Sequence, residues 1–335
     1  MRKLARLVSG VASMSKAQYA LVGDIGGTNA RFALVARDSF ELEHIQVLPC
    51  NDYANLDEAV RDYLAHHPEA EVHEACMAFA CPVHGDTIKM TNNHWTFNKA
   101  DMQARLGFDT FKYVNDFTAM ALGTLHVADE RLQKVGGGEG KDGAARLVIG
   151  PGTGLGVSGL VRTMTDWAPL STEGGHVDFA PTDEVEISVL RILKERFGRV
   201  SVERILCGEG LLNLYRSLCE IDGVEPAHTQ PSQVTEAALA NSDVIAHKTL
   251  KLFCAIFGRV TGNAALTLGA LGGVYVCGGI IPRFIEFFRD SDFRQCFEDK
   301  GRMRDYLGGI PVYVVTETYT GLLGAAEALK NQEVH

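Results

Sequence analysis

The chain has 335 residues, more than a single hydrophobic core normally serves, so two domains are expected. Its 46% apolar and 22% charged residues are ordinary for a globular protein, and no apolar run is long enough to span a membrane. A formal charge of −10 without a dense basic block argues against nucleic acid as a partner. An anionic ligand must then be held by local devices such as backbone N–H groups, a metal ion or helix ends.

The segment before the first apolar run is basic, contains serine and lacks acidic residues. It fits a transit peptide. It fits equally an extension over 1–17 ahead of the first strand, with Met14 as an alternative start, and this second interpretation is favoured. The expected location is the cytoplasm, with organelle targeting left open by this segment.

The eight cysteines are scattered, form no C-x-x-C pair, and mostly lie in apolar runs. This distribution predicts small buried hydrophobic residues in a reducing compartment, rather than disulfides or a zinc site.

Apolar periodicity in the first part of the chain predicts strands and helices in alternation. The predicted strands are a pair within 19–35 and single segments over 44–49, 74–83 and 111–116, and 88–97 is predicted as strand and loop. The predicted helices cover 56–67, 99–107 and 117–125. The second of these helices has Asn98 as its N-cap and Gly107 as its stop.

A glycine cluster at 135–143 interrupts this pattern and predicts a hairpin tip. Residues 145–161 then repeat the opening design of apolar run, glycine-rich turn and apolar run. Predicted helices follow over 185–197, 202–219, 242–269 (with Ser242 as its cap) and 321–330, and predicted strands over 272–281 and 311–315. Strand hairpins followed by strand–helix alternation occur twice, which predicts two α/β domains of related design, each with a mixed sheet.

Three glycine turns stand out, "DIGGTN" at 24–29, "GPGTGLG" at 150–156 and "CGGI" at 277–280. Gly154, Gly156 and Gly159 match the dinucleotide fingerprint, but that fingerprint requires a helix directly after the turn. The residues that follow, "VSGLVRTM", are typical of a returning strand. A Walker loop is also excluded, because no Gly-Lys-Ser/Thr occurs.

The first two turns are better explained as β-hairpins that hold phosphate with backbone N–H groups. Two such hairpins facing each other would clamp a nucleoside triphosphate. Asp24 beside the first turn cannot hold phosphate itself, so it is interpreted as a ligand, direct or through water, of the accompanying Mg²⁺. An Asx-turn role for Asp24 stays open.

Asp116 lies where a predicted strand ends and a helix begins, which is the usual place for catalytic groups in α/β sheets. Simple capping of that helix is the alternative. Asn115 beside it can donate and accept hydrogen bonds, as a hydroxyl-rich ligand requires. Glu173 and His176, separated by two glycines, can converge on one small polar molecule.

Seven segments together resemble the bacterial-type glucokinase family of the sugar kinase, actin and heat-shock ATPase superfamily. They are "GDIGGTNARFAL", "NDFTAMALG", "GPGTGLGV", "EGGHVDFAP", "VSVERILCGEGLLNLYR", "GGVYVCGGIIPRF" and "GLLGAAEAL". The resemblance covers about residues 19 to 330, and its motifs are highly specific as a set.

The resemblance implies a ribonuclease-H-like, actin-like ATPase fold, with two α/β domains and a cleft between them. A small domain would comprise 18–126 plus 317–335, and a large domain 127–316. The activity implied is glucokinase, with ATP and glucose as partners, Mg²⁺ as cofactor, neither nucleic acid nor membrane as partner, and a homodimeric state.

The site residues that the resemblance implies fall into two groups. Asn115, Asp116, Glu173, His176 and Glu203 would bind glucose, with Asp116 as catalytic base. The phosphate loops would be formed by Gly23, Asp24, Ile25, Gly26, Gly27, Thr28, Gly152, Thr153 and Gly154, with Asp24 as the metal ligand.

Two departures from the wider superfamily restrict the function. The zinc-binding cysteine cluster of related "GGH" kinases and repressors is missing after His176, where the sequence reads "VDFAPTDE". The sequence also shows no N-terminal helix-turn-helix pattern, which argues against a sugar-responsive repressor. Three alternatives remain: a kinase of another hexose or amino sugar, a sugar-sensing module without turnover, and a structural ATPase.

Overall fold

The computed structural model describes residues 17–36 and 39–334. The predicted N-terminal extension over 1–17 therefore lies outside the described residues, apart from Ala17, with which the first strand begins. Within the described residues, none of the helices has the length and apolar character needed to cross a membrane.

The first part of the chain forms a five-stranded mixed sheet with three helices. The strands are β1 (Ala17–Ile25), β2 (Asn29–Ala36), β3 (Leu42–Pro49), β4 (Ala70–Phe79), the short pair β5 (Thr87–Lys89) and β6 (Thr96–Asn98), and β7 (Thr110–Asn115). The helices are α1 (Leu56–Ala65), α2 (Lys99–Leu106) and α3 (Asp116–Gly123). The sheet order is β3-β2-β1-β4-β7, with β5 and β6 paired separately.

The second part of the chain forms a six-stranded sheet and most of the helices. The strands are β8 (Leu132–Gly136), β9 (Arg146–Pro151), β10 (Leu155–Arg162), β11 (Trp167–Ser171), β12 (Gly273–Val276) and β13 (Val312–Val315). The helices are α4 (Glu184–Phe197), α5 (Gly208–Asp222), α6 (Pro231–Leu239), α7 (Val244–Leu268), α8 (Ile285–Asp290), α9 (Phe293–Glu298), α10 (Arg304–Gly308) and α11 (Thr320–Lys330). The sheet order is β11-β10-β9-β12-β13-β8.

The two sheets share one topology. In the first, β3, β2 and β1 are antiparallel neighbours, and β4 and β7 continue parallel to β1. In the second, β11, β10 and β9 repeat the antiparallel part, and β12 and β13 repeat the parallel part. Only the antiparallel edge strand β8 is added. The prediction of two related α/β domains is thereby confirmed.

Two helices, α3 and α11, form the core between the sheets. That core joins Val22 of β1 and Val148 of β9 to Leu122 of α3 and Ala325 of α11. The helices cross at glycine: a methyl group on Gly324 would collide with the carbonyl group of Ala119. The close crossing brings the last helix of the chain back onto the first sheet, where it packs against β1 and β4.

Several local predictions are confirmed. Asn98 caps α2 by accepting a hydrogen bond from the Asp101 N–H at 3.1 Å, and Gly107 ends this helix in the left-handed region with φ of 73°. The cysteines are free thiols, and all are buried except the half-buried Cys296.

The predicted hairpin tip at 135–143 is wrong. β8 pairs with β13, whereas β9 pairs with β10 and β12, so the glycine cluster crosses the end of the sheet instead of turning back on itself. Gly137, with φ of 91°, passes against the carbonyl group of Ile310, and Gly140 passes against that of Gly272. The glycines are needed for this close backbone approach, which local sequence cannot distinguish from a turn.

Two helix boundaries also differ from prediction, and one helix was not predicted. Asp243, not Ser242, caps α7 by accepting from the Ile245 and Ala246 N–H groups at 2.7 and 2.9 Å. Residues 202–204 form a 3₁₀ turn, and α5 begins only at Gly208. Helix α6 was not predicted, although Pro231 at its first position is a recognised start signal.

Candidate active site

The first glycine turn is the tip of the β1–β2 hairpin. The Gly26 N–H closes it on the Asn29 carbonyl oxygen at 2.9 Å, and Thr28 is exposed at the tip. Asp24, between the buried Gly23 and Ile25, lies directly opposite Arg31 in the ladder, and the Arg31 guanidinium donates to its Oδ2 at 3.0 Å. Sequence reasoning missed Arg31, although its position across the four-residue turn from Asp24 was a usable signal.

A second loop supports this hairpin from outside. Asn93 donates through Nδ2 to the Gly26 carbonyl oxygen at 3.2 Å, and its Oδ1 accepts from the Trp95 N–H at 2.8 Å. Gly27 packs so closely on Asn92 that an added methyl group would lie 2.7 Å from the Asn92 Cβ. Sequence reasoning missed these asparagines because nothing local connects "TNNHW" with a turn that lies 65 residues earlier in the chain.

The second glycine turn is the tip of the β9–β10 hairpin. The Gly152 N–H donates to the Gly154 carbonyl oxygen at 2.7 Å, and Thr153 is exposed at the tip, as Thr28 is in the first hairpin. The Gly152 carbonyl oxygen accepts from the N–H of Gly208, the first residue of α5, at 3.0 Å. This hairpin is thus anchored on a helix N-terminus.

Asp116 is the first residue of α3 and directly follows the last residue of β7. Asn115 caps the helix, because its Oδ1 accepts from the Phe117 and Thr118 N–H groups at 2.9 and 3.3 Å. Asp116 Oδ1 also accepts from the Phe117 N–H, at 2.8 Å. Since Asn115 supplies the cap, capping alone does not account for the carboxylate at 116.

Burial raises the pKa of the Asp116 carboxyl from its ordinary 3.8 to about 6. The negative charges of Asp24 and Glu173 act in the same direction, while the Phe117 N–H and the Asn115 side chain oppose it. Burial likewise raises the pKa of Asp24, against the effect of the Arg31 charge. Asp24 and Glu173 are thus close enough for their negative charges to raise the pKa of Asp116, which favours binding of a cation or transfer of a proton there.

Glu173 directly precedes a 3₁₀ turn, Gly174–His176, of which His176 is the last residue. This turn packs closely against β10. A methyl group on Gly175 would collide with the carbonyl oxygen of Leu155, and one on Gly174 would lie 2.8 Å from the Val157 Cβ. Both glycines are therefore required for this turn to lie on the strand. The Glu173 and His176 side chains remain exposed.

Glu203 connects this turn to the second hairpin. Its Oε2 accepts from the Leu155 N–H at 2.9 Å, and its Oε1 lies 3.8 Å from His176 Nδ1. A β-bridge between Asp178 and Ser201 aligns the two segments and carries Glu203 to this position. The link between Glu203 and the hairpin was not predicted.

The N-terminal end of helix α11 packs against Asp24. A methyl group on Gly321, in its first turn, would lie 3.4 Å from the Asp24 Cγ. The N-terminal end of this helix carries a partial positive charge that favours anions. The arrangement can accommodate an anionic ligand at the hairpin tips and a hydroxylated ligand beside Asp116.

The carboxylates fit a hard divalent cation. Mg²⁺ is usually held by one or two carboxylates together with substrate phosphates and water. Asp24 is partly exposed (24% of its side chain), so it can offer a carboxylate oxygen to an ion beside the first hairpin. Its negative charge also raises the pKa of Asp116.

The duplicated sheets, the two helices between them and the paired glycine hairpins define an actin-like ATPase fold in two α/β domains, as predicted. The family model described as Glucokinase matches residues 21–332. The chain belongs to the glucokinase family, which makes it a sugar kinase.

Individual relatives agree with this assignment. The glucokinase of Marinobacter nauticus is 59% identical over 96% of this chain and 100% of its own length. That of Chromohalobacter salexigens is 53% identical over 94% of this chain and 98% of its own length. The crystal structure of a glucokinase from an Antarctic psychrotroph superposes with a TM-score of 0.87 at 34% identity, covering 94% of this chain and 99% of that one.

Proposed function

We propose that this chain transfers the γ-phosphoryl group of ATP to the 6-hydroxyl of D-glucose and releases ADP and glucose 6-phosphate, the first step of glycolysis. The observation that carries the proposal is the placement of Asp116 at the start of α3, together with two glycine hairpins of the same topology. Family membership supports glucose over other acceptors.

Asp116 is the proposed catalytic base. At neutral pH a carboxyl with a pKa of about 6 is mostly ionised and can accept the proton of the 6-hydroxyl as its oxygen attacks the γ-phosphorus. The raised pKa makes it a stronger base than an ordinary aspartate. Because phosphoryl transfer has a loose transition state, orientation of the hydroxyl contributes as much as its activation.

Asn115, Glu173, His176 and Glu203 are the proposed glucose ligands, together with Asp116. Their carboxylate, imidazole and amide groups can accept from and donate to sugar hydroxyls. Glu173 and His176 are exposed on an open side of the site, so we expect glucose binding to close the cleft over them and exclude water.

The two hairpins are the proposed phosphate loops: Gly23, Asp24, Ile25, Gly26, Gly27 and Thr28 in the first, and Gly152, Thr153 and Gly154 in the second. Asp24 would hold Mg²⁺, directly or through water. When bound, the ion neutralises phosphate charge. Because Glu203 accepts a hydrogen bond from the Leu155 N–H, a shift of Glu203 on sugar binding would change the position of the second loop.

We further propose that the small domain comprises 18–126 plus 317–335 and the large domain 127–316. The packing of α11 on β1 and β4 supports this division. Free thiols, nearly all buried, support a reducing compartment and hence the cytoplasm. Homodimer formation is proposed by resemblance, and light scattering after gel filtration would test it.

A coupled assay that follows ADP release tests the function. The chain would be supplied with ATP, Mg²⁺ and a panel of hexoses and amino sugars, with the Asp116→Ala variant in parallel. We expect the highest kcat/KM with glucose and a large loss in the variant. A higher kcat/KM with another sugar would favour the alternative kinase, and sugar binding without ADP release would favour a sensing module.

A further inference from the structure

A second group of polar side chains lies on the first domain, away from the residues assigned to sugar and phosphate. It consists of His44 in β3 and of His67 and Glu69 in the turn between α1 and β4. One nitrogen of each histidine and one carboxylate oxygen of Glu69 all lie within 4.8 Å of one another. Among residues 17–36 and 39–334, no other cluster of three histidine, cysteine or acidic side chains meets this spacing.

The backbone turns His44 toward this cluster. Phe32 pairs with Gln46 and Leu34 pairs with Glu43, so β3 carries one extra residue opposite Ala33. His44 lies in this bulge with φ of 55°, a left-handed conformation that is uncommon outside glycine. Bulges of this kind redirect a side chain away from the regular alternation of the strand.

The other two side chains come from one tight turn. The Ala70 N–H donates to the His67 carbonyl oxygen at 3.1 Å, which brings His67 and Glu69 to the same side. The His67 Nδ1 lies 3.7 Å from the Glu69 Oε1. The three side chains thus belong to two segments that are separated by more than twenty residues of sequence.

Tyr63 holds the two imidazoles in place from the protein side. It is fully buried, and its hydroxyl donates to the His44 carbonyl oxygen at 2.9 Å. Its ring centroid lies 4.9 Å from that of His67, and the two imidazole centroids lie 4.6 Å apart. The histidines are therefore supported by the core, while Glu69 is free to move (60% of its side chain is exposed).

A further carboxylate is adjacent to the cluster in sequence. Glu43 precedes His44 and accepts a hydrogen bond from the Tyr19 hydroxyl at 3.2 Å. The carboxylates of Glu43 and Glu69 favour a cation over an anion here.

We propose that His44, His67 and Glu69 bind a first-row transition-metal dication of the Zn²⁺ type. Two imidazoles and one carboxylate form a donor set typical of zinc, with the remaining position left to water. Bonds of about 2.0–2.2 Å place tetrahedral ligand atoms roughly 3.4 Å apart, so the ligand atoms need to shift by only about 1 Å. The bound ion would join β3 to the α1–β4 turn and stabilise the first domain.

Zinc binding to the purified full-length chain tests this proposal. Equilibrium dialysis with Zn²⁺, in excess Mg²⁺ to saturate oxygen-only sites, is run on the wild type and on His44→Ala and His67→Ala. We expect one Zn²⁺ per chain in the wild type and at least about tenfold weaker binding in each variant, since even outer-shell changes have effects of this size. Wild-type affinity in both variants would overturn the proposal.

His66→Ala is the matched control. His66 is the sequence neighbour of His67, but its Nδ1 is engaged with the Asp62 carbonyl oxygen at 2.8 Å and it is not part of the cluster. Its removal should leave zinc binding unchanged, and an equal loss in His66→Ala would contradict the assigned ligands.

Two further measurements keep the test valid if an alanine variant folds poorly. Glu69→Gln changes an exposed side chain and should weaken zinc binding while the circular dichroism spectrum stays that of the wild type. Co²⁺ in place of Zn²⁺ should give the strong visible absorption of a four-coordinate ion. Unchanged zinc affinity in Glu69→Gln, or the weak spectrum of hexa-aquo Co²⁺, would count against the site.

Discussion

The two glycine hairpins have the same topology but hold their shape in different ways. The β1–β2 hairpin contains an internal ion pair, Asp24 with Arg31, and its tip is supported by the asparagine side chain of Asn93. The β9–β10 hairpin has no such pair within the turn. Its position is fixed instead by contacts with other segments. The Gly208 N–H donates to the Gly152 carbonyl oxygen, and the Leu155 N–H donates to the Glu203 carboxylate.

This difference shows that one duplicated framework can fix two glycine turns by different contacts. Charge within the first hairpin suits a metal and phosphate site, because the carboxylate is already placed beside the turn. Glycine packing in the second hairpin makes its position depend on α3, α5 and the turn that bears His176. The second hairpin is therefore the one through which sugar binding and phosphate binding are expected to be coupled.

The largest expected effect comes from Asp116 at the start of α3. Asp116→Asn should lower kcat by about 10²- to 10⁴-fold, the usual contribution of a general base. Steady-state kinetics with glucose and ATP measure this. Near-normal turnover by a correctly folded variant would remove Asp116 from the mechanism.

The same variant should be more stable than the wild type at neutral pH. The pKa of Asp116 is raised from 3.8 to about 6 on folding, so between these values the folded state binds more protons than the unfolded state. Wild-type stability should therefore fall as pH rises through this window, and Asp116→Asn should lack that fall. Thermal unfolding at pH 4 and pH 7 gives the comparison. An unchanged difference between the two proteins would contradict the raised pKa.

The second effect distinguishes the packing of the two hairpins. A methyl group on Gly156 would collide with the Phe117 ring, whereas one on Gly26 would lie 3.3 Å from the Asn29 carbonyl oxygen. Gly156→Ala should lower the free energy of unfolding by about 1–3 kcal/mol, as overpacking usually does. Gly26→Ala, the matched control, should lower it by less than about 1 kcal/mol. Chemical denaturation measures both, and equal effects would refute the contrast drawn above.

A double variant refines this second prediction. Phe117→Leu removes part of the ring that Gly156→Ala would strike, so combining the two should recover some of the lost stability. A loss equal to the sum of the single losses would mean that the collision is not the cause.

The third effect concerns Glu173, one of the proposed glucose ligands. Glu173→Gln should raise the KM for glucose by about tenfold and leave the KM for ATP within about twofold, since a site built for hydroxyl groups depends on each of its partners. Initial-rate measurements with either substrate varied separate the two constants. A rise confined to the KM for ATP would show that Glu173 has been placed on the wrong ligand.

The smallest expected effect is a shift in the pH profile of the same variant. In the wild type, kcat/KM should fall as pH drops through about 6, because Asp116 becomes protonated. The charge of Glu173 helps to raise that pKa, so Glu173→Gln should move the acid limb to lower pH by less than about one unit. A shift to higher pH would contradict the assigned electrostatics.

Much of the framework was predictable from sequence. Strand and helix periodicity located β1, β2, α2 and α3, and the caps at Asn98 and Gly107 were identified because capping depends on neighbouring residues only. The Gly-Gly-Thr and Gly-Thr-Gly turns indicated two hairpins without a following helix. Asp116 at the strand–helix junction was identified for the same local reason.

Other features depended on contacts between distant segments. The glycines at 135–143 have the composition of a turn, and only the position of β13 shows that they cross the sheet. The bond from Asn93 to Gly26 and the bond from Glu203 to Leu155 unite segments far apart in the chain. The raised pKa of Asp116 requires burial by the folded chain, because an isolated aspartate would keep its ordinary value. Sequence determined which residues could do the chemistry, and tertiary packing decided which of them meet, since burial and proximity arise only when the two sheets close on α3 and α11.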